Sequence, residues 1–164
     1  MLMKRSLLQP ISSPRLQELA ASASKAVILV SDKSRLCPSD VFLPLLLTEL
    51  NQGGLQDADI SIVAAVGTHR KMTQTELIQL VGEQVYSRIK VVNHSPLGED
   101  CVYVGTTSRG TPVEINRSVV EAGLRIATGN IEPHALVGIS GGVKALFPGT
   151  ASKKNPSPST TVIL

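Results

Sequence analysis

The sequence predicts an α/β domain, a largely parallel sheet flanked by helices. Two aliphatic runs carry that prediction: "KAVILVSD" at 25–32 and "ADISIVAAVGTH" at 58–69. Each is continuous and β-branched, as strands buried on both faces are. Segments with apolar residues at helical spacing follow each run, so strand and helix alternate along the chain. Polar residues then gather just past the carboxyl ends of the strands, the edge where open α/β sheets bind ligands.

The elements follow in order. "SSPRLQELAASAS" (12–24) offers Ser13 as an N-cap and Pro14 at the first helical position, which predicts a short helix. After the first strand, "PSDVFLPLLLTELNQGG" (38–54) predicts a helix that stops at Asn51-Gln52-Gly53-Gly54. Pro44 falls within its first two turns, where a missing amide is tolerated best. Beyond the second strand, Thr73 and Glu76 form a T-x-x-E capping box that opens a helix over 74–85. "RIKVVNH" (88–94) and "DCVYVGTT" (100–107) predict strands. "GTPVEINRSVVEAG" (110–123) predicts a turn, a short strand and a helix, and "LRIATGNI" (124–131) a last strand. Three units result: an N-terminal segment with a short helix, 1–24; a Rossmann-like α/β domain, 25–150; and a Pro/Ser/Thr-rich tail, 151–164, expected to be disordered.

Composition removes several classes of function. With 164 residues, no Trp and only two Phe and two Tyr, the chain suits one domain with an aliphatic core. A formal charge of +3, without basic residues interleaved with aromatics, gives nucleic-acid binding no support. Pro10 breaks the N-terminal apolar run well short of a signal-peptide core, and nothing is long enough to span a bilayer. The cytoplasm is the expected location. Cys37 and Cys101 have no CxxC or Cys/His ligand spacing and read as free thiols.

The strand ends supply the candidate site. Asp32, Ser34 and Arg35 follow the first strand, Thr68, His69 and Arg70 the second, and Glu132 and His134 the last. An arginine fork with a nearby hydroxyl suits a phosphate or carboxylate; the plain alternative is a solvated loop with an Asx turn at Asp32. His69, on a tight turn before a capped helix, can take and return a proton, or it can simply brace the helix start. His94 follows the third strand with no glycine-rich neighbour and reads as a loop histidine. Gly138-Ile139-Ser140-Gly141-Gly142 matches the G-x-S-x-G elbow and raises a hydrolase with Ser140 as nucleophile. That fold places its triad histidine after the serine, and no histidine follows 134. A P-loop is not matched, because Lys144 lies between valine and alanine. A backbone cleared of side chains at 138, 141 and 142, with a lysine close behind, lets a flat or phosphorylated ligand lie against exposed amides with an amine in reach. That amine can pair with an anion or bond covalently; otherwise it is a surface lysine after a glycine turn.

Together "SDKSR", "VGTHRKMT", "GTTSRGTPVEINR" and "GNIEPHALVGISGGVKALFPG" resemble the N-terminal domain of the lactate racemase family, the nickel-pincer-nucleotide enzymes, over nearly the whole chain. The resemblance implies a cofactor, the nickel complex of a pyridinium-3-thioamide-5-thiocarboxylic acid mononucleotide, joined covalently to Lys144 and made by dedicated synthesis enzymes. It also implies that Asp32, Ser34 and Arg35 line the phosphate end and that Gly141 and Gly142 give the ring room. His69 and His134 match the family's pair of catalytic histidines. In such a racemase one base removes the hydroxyl proton of a 2-hydroxy acid such as lactate as hydride leaves its α-carbon. The 2-oxo acid is then reduced on the other face, with the opposite base returning a proton. After residue 152 the family pattern stops: its nickel-ligating histidine and C-terminal domain have no counterpart in "GTASKKNPSPSTTVIL". No residue of this chain is therefore expected to ligate metal, the chain alone is expected not to turn over substrate, and an exposed cleft would invite self-association. A non-catalytic domain binding a nucleotide or a partner is the alternative of a different class.

Overall fold

The computed structural model of the chain describes residues 2–135 and 138–153. In chain order the helices are α1 Leu2–Leu8, α2 Leu16–Ala21, α3 Ser39–Gln52, α4 Gln74–Val81, α5 Glu83–Arg88, α6 Arg117–Glu121 and α7 Val143–Leu146. The strands are β1 Ala26–Ser31, β2 Ile60–Ala65, β3 Lys90–Asn93, β4 Cys101–Thr106, β5 Pro112–Asn116, β6 Leu124–Ala127, β7 Pro133–His134 and β8 Gly138–Ile139. Four strands form one sheet in the order β3-β2-β1-β6, and every pairing in it is parallel. The expected α/β architecture is what the chain adopts.

The continuous aliphatic run of β1 is explained by its two neighbours in depth. Ile28 and Val30 face a cluster built on Leu43, Leu47 and Leu50 of α3, while Val27 and Leu29 face one built on Val119 and Ala145. Both layers exclude water from β1, whose residues 26–30 are at most 2% exposed. Each fully buried Leu, Ile or Val contributes about 1.5–3 kcal/mol, so the sheet centre is the stable platform from which the loops project.

Several elements differ from expectation. Helix α2 begins at Leu16 with Arg15 in the cap position and no side-chain cap, and Ser13 Oγ instead donates to the Pro14 carbonyl. Arg15 reaches Glu49 on α3 at 3.2 Å, a pairing between distant residues that displaces the local signal. The helix expected over 74–85 breaks at Gly82, whose φ of 82° lies in the left-handed region that favours glycine. The capping box at its start is present. Strands β4 and β5 do not join the parallel sheet but pair with each other as an antiparallel hairpin. Helix α1 has no counterpart among the elements expected from the sequence. Of the stretch 151–164, residues 151–153 extend the ordered chain: Ala151 bridges Ile115 and Ser152 N donates to the Glu114 carbonyl at 3.0 Å. Residues 154–164 lie outside the described residues. Among the described residues no helix is long and apolar enough to cross a membrane.

Candidate active site

From β1 the chain steps outward to β2 and β3, then crosses back to set β6 on the other flank of β1. The strand order reverses at β1, and the crevice beyond its carboxyl end is where such sheets take ligands. A cleft of about 240 Å³ opens there. Asp32, Arg35, His69, His134, Gly141 and Lys144 all line it. Ser34 and Gly142 lie outside its lining.

Asp32 is buried and both its oxygens are engaged. Oδ1 accepts the Ser34 amide at 2.8 Å, closing an Asx turn, and Oδ2 meets His69 Nδ1 at 2.5 Å. Burial raises the Asp32 pKa, but the hydrogen bonds from Ser34 and His69 outweigh it and hold the carboxyl below its ordinary value. An ionised Asp32 selects the His69 tautomer with the proton on Nδ1, leaving Nε2 as a base. Asp32 thus serves the imidazole. Ser34 is exposed and supplies its backbone amide to the Asx turn.

His134, Ser140, Gly141 and Lys144 of the later glycine-rich segment line the same cleft. Strands β7 and β8 make a two-residue antiparallel pairing, His134 opposite Gly138. Arg35 Nη1 donates to Glu132 Oε1 at 2.9 Å, fastening this hairpin to the loop after β1. Glu132 stood in the sequence as a polar residue past the last strand, but a partner 97 residues away left no local trace of the pair. Burial, then the charges of Lys144 and Arg35, depress the His134 pKa, and the charge of His69 acts in the same direction.

Lys144 sits on α7 with its amine in the cleft, and burial and then the Arg35 charge lower its pKa. Among the described residues no carboxylate lies within ion-pair distance of it. A desolvated, unneutralised amine is chemically suited to covalent attachment.

The glycines divide into two kinds. A Cβ on Gly141 would stand 2.6 Å from the Asn130 carbonyl oxygen, and its φ is +84°. Its bare Cα is therefore required by the close approach of the Asn130 backbone. Gly142, φ +51°, has nothing within 4 Å of such a Cβ and leaves open space. Gly141→Ala is expected to cost more than about 1 kcal/mol, read as a lowered urea midpoint, whereas Gly142→Ala should cost only its backbone strain.

Other candidates resolve into structural roles. Ser140 is 5% exposed, and its Oγ lies 3.2 Å from the Asn130 carbonyl and 3.4 Å from Glu132 Oε1. A nucleophile elbow presents an exposed hydroxyl at the top of a sheet; this one is buried against acceptors. His94 is fully buried, with Nε2 donating to the Ala151 carbonyl at 2.9 Å. Cys37 and Cys101 are both half-buried. Among the described residues no three His, Cys, Asp or Glu side chains converge as a metal site. A metal complex entering this cleft would have to bring most of its own donors.

Fold and cleft define a parallel α/β domain whose ionisable side chains meet at the switch point of the sheet. The lactate racemase N-terminal domain family matches residues 1–157. The chain is 41% identical over 152 residues to a lactate racemase of Thermoanaerobacterium thermosaccharolyticum and 39% identical to one of Lactiplantibacillus plantarum, each alignment covering 92% of the chain. It spans 35% and 36% of those relatives' lengths. The lactate racemase apoprotein structure from Thermoanaerobacterium thermosaccharolyticum superposes with a TM-score of 0.87 at 40% identity, covering 93% of this chain and 37% of that one. A Thermotoga maritima protein shares the fold alone, with a TM-score of 0.64 at 24% identity over 87% of this chain and 39% of that one. The chain belongs to the lactate racemase N-terminal domain family.

Proposed function

We propose that this chain supplies the acid–base and cofactor-bearing part of a nickel-dependent 2-hydroxyacid racemase of the cytoplasm, with lactate as the substrate. The observation that carries the reading is the meeting of His69, His134 and Lys144 around one cleft at the sheet's switch point. Lys144 would hold the nickel-pincer nucleotide through its thioamide, with Gly142 leaving space beside it and Arg35 offering a cationic fork to an anion. When bound, the cofactor supplies a hydride acceptor and donor.

The side chains of this chain handle the protons. His69 Nε2 takes the substrate hydroxyl proton in one direction, and ionised Asp32 steadies the imidazolium that forms. His134, kept neutral by burial and by the neighbouring cations, does the same from the other wall. A base on each side lets a proton leave one enantiomer and return to the other, which a single imidazole fixed on one wall could not do.

Intact-mass spectrometry after co-expression with the cofactor-synthesis enzymes tests the attachment. The expected result is an adduct that maps to Lys144 and disappears in Lys144→Ala. An unmodified mass under adequate cofactor supply would count against the reading.

A further inference from the structure

The start of α4 uses more of Glu76 than a helix cap requires. A capping box needs one carboxylate oxygen on the N-cap amide, and Glu76 Oε2 accepts Thr73 N at 2.8 Å. The same carboxylate also binds both ends of the Arg70 guanidinium, Nη1 on Oε2 at 2.8 Å and Nη2 on Oε1 at 2.7 Å. Its Oε1 takes the Lys33 ammonium as well, from a loop 43 residues away. A cap has no use for that cross-loop tie. The Glu76 side chain is only 15% exposed, and a two-pronged arginine contact fixes orientation as well as charge.

The two cations are the immediate sequence neighbours of the site pair: Lys33 follows Asp32, and Arg70 follows His69. The His69 side chain is 57% exposed, so packing alone does not hold its ring. A drift of about 1 Å would carry a hydrogen bond out of range. We propose that Glu76 is a positioning residue for the Asp32–His69 pair, clasping the loop after β1 to the loop after β2 so that Asp32 Oδ2 meets His69 Nδ1. The use of this clasp in a reaction rests on the proposed role of His69, but its test needs neither cofactor nor turnover.

The three histidines can be followed by ring ¹⁵N resonances in the full chain, assigned with single His→Gln variants. At a pH where the imidazoles are neutral, His69 is expected to show the Nδ1-protonated tautomer. Glu76→Gln keeps an oxygen for the cap and removes the charge. The double variant Lys33→Met, Arg70→Met removes both cations and leaves Glu76 on Thr73. Loss of the Nδ1–H signature of His69 in both, with His94 unmoved, upholds the clasp. If Glu76→Gln does not fold, the double variant, whose cap is intact, decides alone. A His69 signature absent from the native chain, or retained in either folded variant even where the melting temperature falls, overturns it and leaves Glu76 a helix cap.

Discussion

Replacing His94 by alanine is expected to lower folding stability by about 3–5 kcal/mol, read as a fall in the urea midpoint with the slope unchanged. The imidazole ranks among the largest fully buried side chains, so its removal opens a cavity. The substitution also takes the donor from the Ala151 carbonyl. That carbonyl belongs to a strap, residues 149–153, joined to the rest of the fold at several points: Gly67 N donates to Gly149 O at 2.9 Å and Asn116 N to Thr150 O at 3.0 Å. Losing one stitch loosens the segment that leads out of the cleft.

His94 also makes the fold acid-sensitive. Burial lowers its pKa from 6.5, against the opposing pull of the Ala151 hydrogen bond and the Asp100 charge, with Lys71 adding to the depression. Its Nδ1 is buried and has no partner among the described residues. Below the unfolded value the unfolded chain binds a proton that the folded chain resists, so stability rises with pH in that window. The His94 contribution to stability is therefore fully present well above pH 6.5 and declines as the pH falls below it. His94→Gln should flatten that dependence; an unaltered acid slope would show that other groups set it.

The second large effect concerns turnover. His69→Gln and His134→Gln are each expected to reduce D- and L-lactate interconversion by about 10²–10⁴-fold. The assay would use the chain joined to the remaining two-thirds of its Thermoanaerobacterium relative and follow optical rotation. Glutamine keeps polarity and bulk but cannot carry the proton. Both directions should suffer, because in the proposed reaction each enantiomer needs one base to lose its hydroxyl proton and the other to regain it after the hydride returns. A variant retaining near-native turnover would mean that its imidazole is not one of the two bases.

The sheet was legible because β1 and β2 announce burial on both faces through unbroken aliphatic runs, and the Thr73–Glu76 cap lies within four consecutive residues. What the sequence hid depends on partners far apart in it. Asp32 and His69 are 37 residues apart, Arg35 and Glu132 97; each residue alone reads equally well as a solvated loop side chain. The β4–β5 hairpin has the alternation of any strand pair, and nothing local says that it will stand outside the main sheet. Nothing beside Gly141 in the sequence reveals that the Asn130 backbone, eleven residues earlier, comes close enough to forbid a side chain there.

For the proposed racemisation, the unlike surroundings of the two histidines, one backed by a carboxylate and the other set among cations, carry a thermodynamic consequence. Mirror-image solutes have equal free energies in water, so detailed balance obliges an interconverting catalyst to show the same kcat/KM for both enantiomers at every acidity. The disparity between the walls can then appear only in how each direction divides that shared quotient between maximal velocity and half-saturation. Chemical asymmetry in the protein cannot bias the final mixture away from a racemate.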